Sequence, residues 1–234
     1  VWNLVRRNTR FWLPILLSFA AGATGTQLGW SAETAVTETV APKLSMATLK
    51  KATGEIKNLH VVSQDLVRGA QPSFKGMVLL RQAGVKTIVN LRNEEKWIKS
   101  ESKIARRLGL KYVSIPLNSF EPIPQEAIDE FLRHALGPSS QPVFVHCMLG
   151  EDRTGLMCAS YRMHRDGWST QKAFEEAVSY GFKPFLLPLV NAIWGYGQIL
   201  GHDEPMPSMS YVYDDLKERI NSKIGPILGS KWKI

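Results

Sequence analysis

Val143-Phe144-Val145-His146-Cys147-Met148-Leu149-Gly150-Glu151-Asp152-Arg153-Thr154-Gly155 is the stretch from which the rest of the chain can be read. Its first three residues are bulky and apolar, as in a short buried strand, and a helical pattern over 154–165 follows the loop. A short loop between a strand end and a helix start can turn successive backbone N–H groups inward and cradle an anion. The helix N-terminus adds about half a positive charge there, which favours both a bound dianion and a thiolate at Cys147. Arg153 falls at the helix start, separated from the cysteine by five residues, and its guanidinium can fold back onto two phosphate oxygens. Gly150 permits a backbone conformation that a bulkier residue would hinder. A small core cysteine at a strand end is the competing reading, and it leaves Gly150 and Arg153 unexplained.

Working outward, Leu59–Val62 and Leu66–Arg68 read as short strands closed by the turn Gly69-Ala70-Gln71-Pro72. Ser73 is placed to cap a helix running to about Gln82, with Gly84 beyond its end. Val85–Leu91 is a β-branched strand, and Glu94–Leu108 has apolar positions at helical spacing, stopped by Gly109. A strand over Leu110–Pro116, a helix over Ala127–Leu136 and the strand Pro142–His146 complete a β-α-β-α-β order. That order predicts an α/β fold with a central, mostly parallel sheet flanked by helices. After Arg153 the pattern is helical over 154–165, 170–180, 184–200 and 211–223.

The chain has 234 residues, 44% of them hydrophobic and 21% charged, enough for one α/β domain with appendages. Two cysteines exclude a disulfide scaffold and a four-cysteine zinc site, and no metal site is expected. Residues 1–32 carry Arg6, Arg7 and Arg10, no acid, and an apolar run from Phe11 to Ala23 that ends small-x-small. This is the pattern of a signal peptide, or of a membrane anchor if the segment is retained. Removing it takes the formal charge from +8 to +5. Residues 33–57 read as a linker, 58–200 as the catalytic domain and 201–234 as a C-terminal helical extension.

The segment HCMLGEDRTG resembles the His-Cys-x5-Arg-Ser/Thr signature of cysteine-dependent protein tyrosine and dual-specificity phosphatases. Leu66–Ser73 and Thr87–Arg92 are similar to the start of the compact atypical bacterial branch of that superfamily, and the likeness spans roughly 58–185. It implies a dual-specificity-phosphatase-like fold and a two-step reaction without cofactor. Cys147 would attack phosphorus while an acid protonates the leaving oxygen, and water would then hydrolyse the phosphocysteine. By the same resemblance Arg153 binds phosphate, Met148, Leu149, Gly150 and Glu151 form the loop, Thr154 stabilises the leaving thiolate, and His146 braces the loop. Relatives place an acidic aspartate after the strand equivalent to 110–116, where this chain has only Glu121. Some relatives use the loop aspartate instead, here Asp152, so both stand as candidates. Arg68 and Arg92 match the upstream motifs and, with Lys183, are candidate substrate contacts; structural pairing is the alternative for the arginines.

The expected substrate is a phosphorylated protein or small phosphomonoester, phosphotyrosine or broad in range, with inositol polyphosphates or phosphoinositides as the alternative. A non-catalytic phosphate-binding module and a sulfurtransferase are the readings from other classes. Gly195-Tyr196-Gly197 with Gly201 follows a helical pattern, not a strand, so it is no dinucleotide fingerprint. Trp194, Tyr196, Tyr211 and Tyr213 lack interleaved basic residues, so no nucleic-acid partner is expected, and a membrane is expected only through residues 1–32. Cys158 reads as a core residue, with a resolving thiol as its alternative.

Overall fold

The computed structural model describes residues 44–228; the signal-peptide reading of 1–32 and the 33–43 part of the linker reading lie outside them. Five short strands form one sheet: β1 (His60–Val61), β2 (Leu66–Gly69), β3 (Thr87–Asn90), β4 (Lys111–Ser114) and β5 (Val143–His146). Their order is β1-β2-β5-β3-β4, with β1 antiparallel to β2 and the other pairs parallel. The fold is therefore the expected α/β arrangement, with β5 at its centre. In register, Gly69 pairs with His146, His146 with Asn90 and Asn90 with Ser114. The carboxyl ends of four strands thus finish in one line, where open α/β sheets bind their ligands.

The two-residue alternation of strands sorts side chains onto two faces. Leu66, Val89, Val143 and Val145 join one cluster, with Phe131, Leu156, Phe174 and Ile193. Val67, Ile88 and Phe144 join the other, with Leu49, Met77 and Leu80. The first face is covered by α4 (Gln125–Leu136), α5 (Asp152–Asp166), α6 (Thr170–Ser179) and α7 (Leu187–Ile199). The second is covered by α1 (Met46–Ala52), α2 (Phe74–Gln82) and the apolar side of α3 (Glu95–Arg107). Helix ends follow local chemistry. Ser73 accepts from the Gly76 N–H as the cap of α2, and Gly84 and Gly109 take positive φ beyond α2 and α3.

Helix α1 corrects the linker expectation for 33–57 within its described part. Ser45 caps it through Thr48 N, and Leu44, Leu49, Ala52 and Ile56 are buried beside α2. Its Thr- and Lys-rich composition hides a buried stripe only one residue wide per turn. At the other end the expected helix 211–223 is longer, α8 (Met209–Leu228). Gly195-Tyr196-Gly197 lies inside α7, as its helical pattern requires.

Candidate active site

Strand β5 delivers His146 and Cys147 at the carboxyl edge of the sheet, and the chain re-enters a helix at Asp152. Between them Gly150 has φ +71°, and a Cβ there would collide with the backbone of Gly69 and Ala70. Only glycine fits this position. The loop is held by its carbonyls. Met148 O accepts from Gln71 N at 3.2 Å. Gly150 O accepts from Arg68 Nη2 at 2.7 Å and Asn58 Nδ2 at 2.9 Å. In a trans peptide the next N–H points the opposite way, so the amides of Leu149 and Glu151 are turned away from these donors. Cys147, 3% exposed, lies at the start of this loop.

Arg153 Nη1 donates to Leu117 O at 3.2 Å and, at 3.4 Å, to Leu91 O and Asn93 Oδ1. The guanidinium is thereby anchored across the ends of β3 and β4 by one nitrogen. Thr154 is fully buried at the start of α5, and its Oγ1 has no hydrogen-bond partner among the described residues.

His146 is fully buried. Its Nδ1 donates to Cys147 O at 3.1 Å, and its Nε2 lies 2.9 Å from Glu101 Oε1, bent from the line of a hydrogen bond. Glu101 is itself 2% exposed, and its Oε2 accepts from Asn90 Nδ2 at 2.8 Å and Gln71 Nε2 at 3.0 Å. Sequence reasoning missed Glu101, Asn90, Gln71 and Asn58 as site residues. One signal was present: Glu101 shares the helical phase of Ile98, Ala105 and Leu108, so it is a carboxylate on the apolar stripe of α3.

Each of the three candidate substrate contacts is engaged by groups of the protein itself, and for the two arginines this is the structural-pairing alternative. Arg68 is completely buried, grips Gly150 O from beneath the loop, and stacks 4.6 Å from the Tyr180 ring centroid. Arg92 is 6% exposed and spends its nitrogens on Glu94 and Gln71. The Arg92 hydrogen bonds pull the Glu94 carboxyl down to about 2. Lys183 Nζ bridges Glu151 at 2.6 Å and Asp152 at 2.9 Å, so it neutralises loop acids. Both carboxylate oxygens of Asp152 are engaged, since Oδ1 also accepts Lys183 N at 3.0 Å. Glu121 lies on the exposed loop after β4, where its Oε1 accepts from Asn118 Nδ2 at 2.7 Å. Cys158 is buried in the core, and desolvation pushes its thiol up to about 11. Among the described residues no group of His, Cys, Asp and Glu could hold a metal ion.

A cysteine and an arginine at the two ends of a glycine-turned loop, on the carboxyl edge of a mostly parallel sheet, define a cysteine-dependent phosphatase of the dual-specificity type. The chain belongs to the family described as DSP-PTPase phosphatase fused to NAD+ Kinase, which matches residues 36–185. It is 31% identical over 180 residues to the dual specificity protein phosphatase TpbA of Pseudomonas aeruginosa, covering 76% of this chain and 77% of that protein. It is 26% identical over 128 residues to the inositol diphosphatase SIW14 of Saccharomyces cerevisiae, covering 53% of this chain and 44% of that one. The fold is also that of the crystal structure of TpbA with phosphotyrosine, at TM-score 0.52 and 22% identity over 71% of this chain and all of that one.

Proposed function

We propose that this phosphatase hydrolyses aromatic phosphomonoesters, phosphotyrosine first among them, through a phosphocysteine at Cys147. The observation that carries the reading is the cradle between β5 and α5, closed by Arg153. Cys147 Sγ attacks phosphorus, the phosphate oxygens are held by the loop amides and by the unanchored nitrogens of Arg153, and the substrate oxygen leaves with a proton from a carboxyl group. Water then displaces the thiolate with that carboxylate as base, and the orphaned Thr154 hydroxyl is available to the departing sulfur. His146 braces the loop through Cys147 O.

The surroundings favour one aromatic phosphate over a polyphosphorylated ring. Met148 and Leu149 on the loop are exposed apolar side chains, as is Phe120 on the segment that follows Leu117. The nearby cations Arg68, Arg92 and Lys183 are buried or paired with acids, which leaves Arg153 as the cation placed for phosphate. Of the two candidate acids we favour Glu121, since Asp152 is committed to Lys183 and the Glu121 loop follows Leu117, whose carbonyl holds Arg153. The likeness to an inositol diphosphatase supports inositol phosphates as the second reading. On the pattern of residues 1–32 we read the protein as exported, periplasmic or secreted, and membrane-anchored if that segment is retained. Among the described residues no helix is long and apolar enough to cross a membrane.

Steady-state turnover on a phosphotyrosine peptide and on inositol hexakisphosphate tests the reading. The peptide is expected to be the better substrate, and Cys147→Ser to lower its turnover by about three orders of magnitude or more. Cleavage of the inositol substrate alone overturns the phosphotyrosine assignment; full activity of Cys147→Ser overturns the mechanism.

A further inference from the structure

We propose that Glu101 is a positioning residue for the nucleophile, acting through His146 and Gln71 on the first two peptide groups of the phosphate loop. The proposal deepens the phosphatase reading and rests on it. A buried carboxylate is retained at a cost of several kcal/mol unless hydrogen bonds and a complementary charge surround it. Here the compensating groups all belong to segments that hold the site.

His146 is the first of these. The Cys147 carbonyl can only accept, so Nδ1 carries the hydrogen directed at it, and Nε2 is turned toward Glu101. Each ring nitrogen thus lies within 3.1 Å of an oxygen, and under this proposal the close but bent contact with Glu101 sets which way the ring stands. Gln71 is the second. Its side chain spans Glu101 and Arg92 Nη1, while its backbone N–H holds Met148 O. Asn90 is the third. It donates to Glu101 and accepts the Arg92 N–H at 2.7 Å, in the turn whose Leu91 carbonyl and Asn93 side chain hold Arg153. One carboxylate on α3 thus ties the peptide groups after Cys147 and Met148 to the strand end that orients Arg153. Tyr112 joins this cluster by accepting from Asn90 Nδ2 at 2.8 Å, and it keeps its proton because burial and the Glu101 charge push its pKa up. Glu101 reaches no position a substrate could occupy.

The test is Glu101→Gln, which preserves volume but replaces the charge, with Glu101→Asp as the conservative comparison. The expected result is a fall in kcat of about 10–100-fold with KM changed less than about twofold, since misplacement of the nucleophile acts on the chemical step. Alkylation of Cys147 by iodoacetate, measured without substrate and per folded molecule, is expected to slow in Glu101→Gln and to recover partly in Glu101→Asp. A folded Glu101→Gln protein with wild-type kcat and alkylation rate overturns the proposal, as does a loss confined to KM. If Glu101→Gln does not fold, Gln71→Ala decides: it removes one tie to the carboxylate, and an unchanged kcat and alkylation rate overturn the proposal. If the wild type turns over no phosphoester, the phosphatase reading fails, and the alkylation rates still decide the role of Glu101.

Discussion

Asp152 shows how a residue's neighbours assign its work. It begins α5, where a carboxylate is favoured by the helix dipole, and it accepts both the backbone N–H and the ammonium of Lys183. A group so paired must lose its ion pair before it can donate a proton. Glu121 has one neutral partner, Asn118, and stands on an exposed loop. The expected outcome is that Glu121→Gln lowers turnover of a phosphoester with a poor leaving group by about 10²-fold, the lower end of the range for general acids. Its effect should shrink on an aryl ester with a good leaving group. Asp152→Asn should instead lower stability and change the leaving-group dependence little. The opposite pattern in the two leaving-group series would return the acid role to Asp152. Neither role was legible from the residues alone, because an acid in a loop and an acid at a helix start read alike until their partners are known.

At the scale of elements, the turn between α6 and α7 works as a clamp on the phosphate loop. Lys183 in that turn bridges Glu151 and Asp152, and Arg219 of α8 donates to the neighbouring Phe182 carbonyl at 2.7 Å. Burial alone would lower the Lys183 pKa; the hydrogen bonds to Glu151 and Asp152 outweigh it, and the net shift is upward. A raised folded-state pKa stabilises below the unfolded value, near 10.5, and the contribution is lost as pH rises through the folded value. Lys183→Met is expected to cost about 1–3 kcal/mol at neutral pH, since it leaves two half-buried carboxylates without their counter-ion. Thermal melts of the two proteins should converge as pH is raised from about 10.5 through the higher folded-state value, where the folded wild type loses its ammonium. A gap that stays constant into strong alkali would show that the loss is one of packing.

For the molecule as a whole, the sheet is covered on both faces, and α1 closes the second. Leu49 of α1 is 3% exposed, within the cluster that includes Met77, Leu80 and Phe144. Leu49→Ala is therefore expected to destabilise by about 2–5 kcal/mol, measured by urea unfolding, with little change in KM because α1 is absent from the loop's contacts. A cost below about 0.5 kcal/mol would restore the linker reading for this segment. The alternating order of strands and helices, the cap at Ser73 and the glycine stops at 84 and 109 were readable because they depend on neighbours within a turn or a strand. Helix α1 was not, because Leu49 and Ala52 alone make a weak pattern until α2 is placed against them.

Within the chain, the strand–loop–helix around Cys147 determined the class of chemistry by itself. Its ingredients, a short strand, a glycine at positive φ, a helix N-terminus and an arginine in its first turn, all lie within thirteen residues. Tertiary structure decided what the long charged side chains do. Arg68 reaches its carbonyl across 82 residues, Lys183 its carboxylate across 31, and Glu101 meets a histidine that the sheet register places beside Asn90. Backbone cradles are written locally because they depend on φ, ψ and peptide planarity. Charge pairing and burial depend on which distant segments share a low-dielectric interior, and only packing of the sheet and its helices settles that.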